Sequence, residues 1–204
     1  INTDKYTYGY KAIIKNTIFI NNTAMNKHGG GCYLWWITTC IFTNSSFKHN
    51  SAGDKGGGSY IYKGSLTIAI IDSIFSTNTA HQGGGGAAIN GNEQSYGYVA
   101  RIKNTIFINN TAMNDDGGGC YLWWITTCIF VNSSFKQNSA GNQGGGFHIY
   151  KSNLTIVQNI IFSLNDANNY GGGFYSYVVG KLVIIDSVFS VNAAHQGGGG
   201  ADIN

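Results

Sequence analysis

Apolar and polar residues alternate along short stretches of this chain. After each block of glycines, the first and third residues are small or apolar, as in Cys32 and Leu34. The second and fourth are larger and amphipathic or polar, as in Tyr33 and Trp35. Alternation of period two is typical of a β-strand with one buried face, and no segment has the 3.6-residue period of an amphipathic helix. The pattern predicts an all-β protein.

A sevenfold repeat organises these strands. Each copy has a phenylalanine, an asparagine three residues later, an alanine two residues after that, and then a glycine block. Successive phenylalanines are 28, 28, 32, 28, 27 and 27 residues apart, and a fixed period of this length indicates a solenoid. The repeated pairs are Phe19 and Asn22, Phe47 and Asn50, Phe75 and Asn78, Phe107 and Asn110, Phe135 and Asn138, Phe162 and Asn165, and Phe189 and Asn192.

The sequence therefore predicts a right-handed parallel β-helix of about seven coils, with about three strands per coil. We expect the phenylalanine rings to stack in the core and the asparagine amides to bond to one another, as a structural ladder. The residue three before each phenylalanine is Asn or Asp, which favours a turn. We expect one continuous solenoid over residues 1–204, with coils 1 to 7 at roughly 1–34, 35–62, 63–90, 91–122, 123–150, 151–177 and 178–204.

Two longer sequence segments also recur in the chain. Residues 12–62 recur almost unchanged at 100–150, and residues 71–90 recur at 185–204. If residue 203 is followed by a copy of residue 3, the next phenylalanine falls 32 residues after Phe189, which is the spacing between coils 3 and 4. We interpret the chain as about one period of a longer array. Neither end has a polar cap, which favours stacking end to end.

Composition narrows the class of protein. Apolar residues make up 43% of the chain and charged residues only 10%, with 30 glycines and no proline. The missing proline fits a backbone whose N–H groups are nearly all used in ladders. The net charge of +3 comes from scattered residues and not from a run of Lys or Arg, so we expect no nucleic-acid partner. No apolar run approaches 18 residues, so we expect no membrane span.

Titratable residues give little support for catalysis. Carboxylates would have to cluster to serve as acid, base or metal ligands. Asp72 and Asp186 instead occupy the turn position that Asn fills in other coils, and His148 aligns with Tyr60. We expect no catalytic, metal or cofactor site, and we interpret the histidines as solvated or bonded to turns.

The four cysteines form two copies of one feature, since Cys120 and Cys128 repeat Cys32 and Cys40 at an offset of 88 residues. Two interpretations stay open. They are small buried residues at inward positions, or they form the disulfides Cys32–Cys40 and Cys120–Cys128 in an oxidising compartment.

Two surface features indicate an extracellular location. The chain has five N-glycosylation sequons, and the candidate sites are Asn21, Asn44, Asn109, Asn132 and Asn153. Outward aromatic residues could stack on sugars or on a neighbouring filament, or stiffen the solenoid by lateral contact. They are Tyr33, Trp35, Trp36, Tyr121, Trp123 and Trp124, together with Tyr6, Tyr8, Tyr10, Tyr96 and Tyr98.

The F-x-x-N motif is followed by a G-G-A strand start at Gly85-Gly86-Ala87 and again at Gly199-Gly200-Ala201. This pattern resembles the repeats of chlamydial polymorphic membrane proteins and of large extracellular proteins of protists. Five of the seven glycine blocks lack the G-G-A form. The resemblance implies a right-handed β-helix at a cell surface, used as adhesin or scaffold.

From these observations we expect a structural, non-enzymatic protein: an extracellular or cell-surface fibre or stalk built of end-to-end stacked coils. Its main partner would be the continuation of its own solenoid, with N-glycans or surface carbohydrate as further partners. An adhesin for a receptor or glycan is the alternative, and a polysaccharide-active enzyme comes third.

Overall fold

In a computed structural model, the chain forms a parallel β-solenoid of about seven turns, as predicted. The structure describes residues 10–62, 67–91 and 97–204. Within these ranges every strand pairs in parallel with strands of the neighbouring coils, and no helix occurs.

Three sheets run along the solenoid. The first has twelve strands: Tyr10–Lys15, Cys32–Trp35, Ile37–Thr43, Ser59–Tyr62, Thr67–Ile71, Ala87–Asn90, Val99–Lys103, Cys120–Trp123, Thr127–Val131, Phe147–Gln158, Phe174–Ile185 and Ala201–Ile203. The second has seven: Ile18–Ile20, Ser46–Lys48, Ile74–Ser76, Ile106–Ile108, Ser134–Lys136, Ile161–Ser163 and Val188–Ser190. The third also has seven: Thr23–Ala24, Ser51–Ala52, Thr79–Ala80, Thr111–Ala112, Ser139–Ala140, Asp166–Ala167 and Ala193–Ala194.

The first sheet has two arms, one after the glycine block and one before the phenylalanine. In coils 5 to 7 single long strands, Phe147–Gln158 and Phe174–Ile185, run through both arms. Four of the junctions between the arms, in the ranges that the structure describes, hold a residue with positive φ, at Trp36, Trp124, Lys151 and Val178. A local left-handed residue bends the chain there, which lets one strand turn a corner of the coil.

The predicted phenylalanine ladder is present. Each ring stacks on the next with centroids 4.5–5.4 Å apart and planes within 13° of parallel. The five inner rings are fully buried, whereas Phe19 and Phe189 in the end coils are only partly buried. Offset stacking at strand spacing adds to the apolar area that these rings bury.

The predicted asparagine ladder is also present, and its side chains bond to backbone N–H groups as well as to one another. Each ladder asparagine from Asn22 to Asn165 donates from its Nδ2 to Oδ1 of the next, at 2.9–3.0 Å. The same Oδ1 accepts the backbone N–H of the previous asparagine at 3.0 Å. The ladder therefore also satisfies buried backbone groups that the turn leaves unpaired.

The turn before each phenylalanine has the predicted chemistry. The Asn or Asp three residues earlier has a positive φ of 47–52° in every coil, the left-handed region that these two residue types tolerate best. The residues are Asn16, Asn44, Asp72, Asn104, Asn132, Asn159 and Asp186.

Candidate interaction surfaces

Two outward columns of the first sheet form what we call the aromatic face. The strand register aligns the first column through all seven coils and the second through six. The first column is Tyr33, Tyr60, Ala88, Tyr121, His148, Tyr175 and Asp202; the second is Trp35, Tyr62, Asn90, Trp123, Tyr150 and Tyr177. The alternation of residues also predicts outward positions for five further tyrosines and His148, but these were not included in the predicted aromatic surface.

Small residues interrupt the aromatic face in coil 3, where Ala88 and Asn90 replace aromatic rings. Two shallow grooves flank this gap. The first includes Tyr33, Tyr60 and Tyr62, and the second includes Tyr121, Trp123, Tyr150, Tyr175 and Tyr177. Rings within each groove stack along the axis, with centroids 5.6 Å apart for Tyr33 and Tyr60 and 5.5 Å for Tyr150 and Tyr177.

The second groove holds a buried histidine–carboxylate pair. His148 Nδ1 lies 3.0 Å from Asp116 Oδ2, and the histidine is only 2% exposed. The backbone N–H of Gln143 donates to the other Asp116 oxygen at 3.1 Å. The interpretation of His148 as solvated is therefore wrong, because neighbouring aromatic rings of the face cover it; the group that faces it is a carboxylate of the loop before a glycine block.

Charges around this pair are partly desolvated. Burial raises the pKa of Asp115, and the adjacent carboxylate of Asp116 raises it further. The Lys55 ammonium lies 4.9 Å from the Trp123 ring centroid and 5.4 Å from that of Tyr121, a cation–π contact that crosses the gap at coil 3. Lys55 in coil 2 thus touches residues of the aromatic face in coil 4.

Several polar atoms in the second groove lack a protein partner. They include His148 Nε2 and Trp123 Nε1, which are both inaccessible to solvent. A buried donor without an acceptor is costly. The groove also combines flat aromatic surface with the polar side chains of Asp116 and Gln143 in its lining, a combination that suits sugar rings.

The two end surfaces of the solenoid expose core residues. Ile203 is 56% exposed, while Ile89 at the same position of coil 3 is 1% exposed. Ile184 is 38% exposed, while its counterpart Ile70 is fully buried. Coil 3 lies between two coils, whereas coil 7 has a neighbouring coil on one side only among the residues given.

The cysteines lie in or against the hydrophobic core, and all four are free thiols in the structure. Burial raises the pKa of Cys32 to about 11 and that of Cys128 to about 12, which keeps both thiols protonated at neutral pH. The disulfides Cys32–Cys40 and Cys120–Cys128 stay a prediction.

The remaining predicted residues fall in three groups. All five sequon asparagines have exposed side chains. Tyr10 is 62% exposed, but Tyr98 is 5% exposed and belongs to the core, so its assignment to the surface was wrong. Tyr6, Tyr8 and Tyr96 lie outside the described residues.

Within residues 10–62, 67–91 and 97–204, no group of three or more His, Cys, Asp or Glu side chains could hold a metal ion. The same ranges contain no helix that is long and apolar enough to cross a membrane.

No protein-family model, curated protein or solved structure matches the chain. The likeness to polymorphic membrane protein repeats thus rests on the F-x-x-N and G-G-A motifs alone and stays a hypothesis.

Proposed function

We propose that this chain is a structural segment of an extracellular fibre or surface stalk, in which the solenoid continues end to end. The observation that carries the proposal is the register of coils 3 and 4, because segments of coils 7 and 1 nearly repeat their sequences. A coil like coil 1 stacked on coil 7 would extend all three sheets in the same register. The extracellular location rests on the motif resemblance and on the five exposed sequon asparagines.

The chain itself contains a template for this contact. Residues 185–204 of coil 7 nearly repeat residues 71–90 of coil 3, and residues 12–31 of coil 1 nearly repeat residues 100–119 of coil 4. Coils 3 and 4 are stacked inside the chain with all three sheets in register, and the rings of Phe75 and Phe107 lie 4.8 Å apart. Stacking coil 1 of a second copy on coil 7 would pair Phe189 with Phe19 in the same way.

A single added methyl group tests this contact. A Cβ on Gly86 would lie 2.4 Å from the Gly119 carbonyl oxygen of the next coil. At the matching Gly200 the nearest atom is Phe189 Cβ at 3.4 Å, so Gly200→Ala fits the isolated chain. In an end-to-end contact, however, the new methyl would strike the Gly31 carbonyl of the second copy. We expect Gly200→Ala to weaken self-association at least about tenfold.

Analytical ultracentrifugation over a range of concentrations measures the association, and thermal unfolding of the dilute chain shows that the variant is folded. The control is Ile161→Ala, a truncation of an exposed side chain on the outer surface of the second sheet. Equal association of the parent and Gly200→Ala chains would count against the proposal, as would the absence of filaments in electron micrographs of native material.

A second candidate function is binding of a surface glycan by the aromatic face. It is favoured by the second groove, where the rings of Tyr150 and Tyr177 stack and Asp116 and Gln143 add polar groups to the lining. On this hypothesis the chain would be an adhesin, either in place of or in addition to a stalk.

Trp123→Ala tests the glycan hypothesis. The change removes a flat stacking surface of the groove, so we expect at least about tenfold weaker binding, which corresponds to about 1.4 kcal/mol. Glycan-array screening of the parent chain identifies the sugar, and calorimetric titration of that sugar measures the loss. Ile161→Ala again serves as control. A parent chain that binds no glycan, or a variant that binds as well as the parent, would rule this candidate out.

A further inference from the structure

The outer surface of the second sheet carries a column of aliphatic side chains. The strand register aligns the residue before the ladder phenylalanine through all seven coils. Ile74, Ile106 and Ile161 lie in inner coils of this column, yet they are 40%, 41% and 51% exposed, so their exposure is not an effect of the end coils. The aliphatic column, as we call it, consists of Ile18, Ser46, Ile74, Ile106, Ser134, Ile161 and Val188.

Two coils interrupt the aliphatic column, and both do so with a serine. Ser46 and Ser134 are the third residues of the sequons that begin at Asn44 and Asn132. The turn residue two positions before the column is Asn or Asp in every coil, but it begins a sequon in these two coils alone. The column therefore has a hydroxyl group only where the adjacent turn asparagine can accept a glycan.

Two further sequons lie at the opposite edge of the second sheet. Asn21 and Asn109 directly follow the strands Ile18–Ile20 and Ile106–Ile108. Five residues separate the two edges within a coil, which is at most about 16 Å of extended chain. Along either edge the two sites are three coils apart, or about 14 Å at the spacing of paired strands. Four of the five sequons thus flank the aliphatic column, two on each side.

The side chains of these four asparagines can carry a glycan without loss of a buried hydrogen bond, since all four are exposed. Among the described residues, the Asn132 side chain bonds through its oxygen alone, which accepts from Asn159 Nδ2 at 3.1 Å. Asn44 Nδ2 donates to Asn16 Oδ1 at 2.9 Å. A glycosylated amide keeps one N–H, so this donor is not lost.

The ladder asparagines have the opposite character. Asn110 is buried, and its Nδ2 uses both hydrogens, one for the Phe75 carbonyl and one for Asn138 Oδ1. The alanine two residues after each ladder asparagine also stands where a sequon requires Ser or Thr. The repeat thus separates asparagines that hold the coils together from asparagines that are open to modification.

We propose that N-linked glycans on Asn21, Asn44, Asn109 and Asn132 cover the aliphatic column. The donor is a lipid-linked oligosaccharide diphosphate. The bond from sugar C1 to the diphosphate oxygen breaks, C1 bonds to the asparagine Nδ2, and Nδ2 loses one proton as the lipid diphosphate leaves. The inference rests on the proposed extracellular location, because this donor belongs to the secretory pathway.

The glycans would decide which surfaces of the solenoid can associate. An exposed aliphatic surface promotes contact with other chains, whereas bulky, hydrophilic glycans at both of its edges keep other chains away. None of the four sites lies on the aromatic face. The second sheet is therefore closed to lateral contact, while the aromatic face stays open.

The first test is site occupancy in the 204-residue chain, secreted from eukaryotic cells behind a cleavable signal peptide. Enzymatic release of N-glycans in heavy-oxygen water converts each glycosylated asparagine to a labelled aspartate, which mass spectrometry of the peptides detects. We expect label at all four sites. Unmodified asparagines along either edge would overturn the inference and leave the stacking proposal intact.

The second test removes the glycans with residues that other coils have at the same positions. Fluorescence of anilinonaphthalene sulfonate should rise at least about threefold, because this dye binds to exposed apolar surface. Asn153→Gln, which removes the sequon outside the second sheet, is the control and should leave the fluorescence unchanged. The four changes are Asn44→Asp and Asn132→Asp, as in Asp72 and Asp186, and Asn21→Gln and Asn109→Gln, as in Gln137.

A further pair of changes connects the dye signal to the aliphatic column. Ile106→Ser and Ile161→Ser, added to the chain without the four sites, copy the serines of coils 2 and 5 and should remove at least about half of the increase. Thermal unfolding shows that each chain is folded. No increase without the glycans, or an increase that the serines leave in place, would overturn the inference. A glycosylated parent chain that stays monomeric would count against the stacking proposal alone.

Discussion

Gly86→Ala should destabilise the chain by about 3 kcal/mol, one of the two largest effects that we expect. The added Cβ would lie 2.4 Å from the Gly119 carbonyl oxygen and 3.0 Å from the Phe107 ring. Neither neighbour can rotate away, since one is backbone and the other is a fully buried ring in the stack. Coils 3 and 4 must therefore separate, which weakens the ladder bonds between them.

The matched control is Gly200→Ala in coil 7, whose glycine block is flanked by nearly the same residues. Its new methyl meets Phe189 at 3.4 Å, which is ordinary contact. We expect a change within about 1 kcal/mol, since alanine also restricts the unfolded chain more than glycine does. Urea-induced unfolding at concentrations too low for association compares the two chains. Equal stabilities would mean that coils 3 and 4 can move apart at Gly86 without loss of stability.

The fold was predictable because each structural position occurs seven times. A single Asn at a turn is a weak signal, but seven Asn or Asp residues three before a phenylalanine indicate a backbone requirement. All seven have a positive φ. The same comparison predicted the ladder of Phe75 and Phe107.

Residues that depart from the repeat were harder to place. His148 aligned with Tyr60 and was therefore expected to be inert, but its carboxylate partner comes from a loop of the previous coil. That contact depends on how columns lie side by side around the coil, which the alternation of residues within one strand does not specify. Tyr98 was misplaced because coil 4 has four extra residues before its first-sheet strand, so the inward positions could not be counted from the glycine block.

The aromatic face was only partly predictable for a related reason. The rings in the Cys-Tyr-Leu-Trp segments were recognised as outward, but the register was needed to join them with Tyr175 and Tyr177 into one surface. Lateral packing also buries outward rings, since Tyr60 is 3% and Tyr121 7% exposed. An outward position in a solenoid therefore does not mean a solvated side chain.

Asn110→Ala should lower the free energy of unfolding by about 3–5 kcal/mol. The Asn110 Nδ2 donates to the Phe75 carbonyl at 2.9 Å and to Asn138 Oδ1 at 3.0 Å. Its Oδ1 accepts both the backbone N–H and the Nδ2 of Asn78 at 3.0 Å. Alanine leaves the Phe75 carbonyl and the Asn78 N–H buried with no side-chain partner, and each such group costs about 1–3 kcal/mol.

Asn22→Ala in the first coil distinguishes the cost of losing buried hydrogen bonds from the cost of changing the turn conformation. Asn22 donates its N–H and Nδ2 to Asn50 Oδ1, but its side chain is exposed, so water can replace what alanine removes. We expect a loss of about 1 kcal/mol or less from this change. If both alanine variants lost the same stability in urea unfolding, the cost would come from the turn conformation that every coil shares. A large loss confined to Asn110→Ala would instead assign it to the buried hydrogen bonds, which only a coil with neighbours on both sides completes.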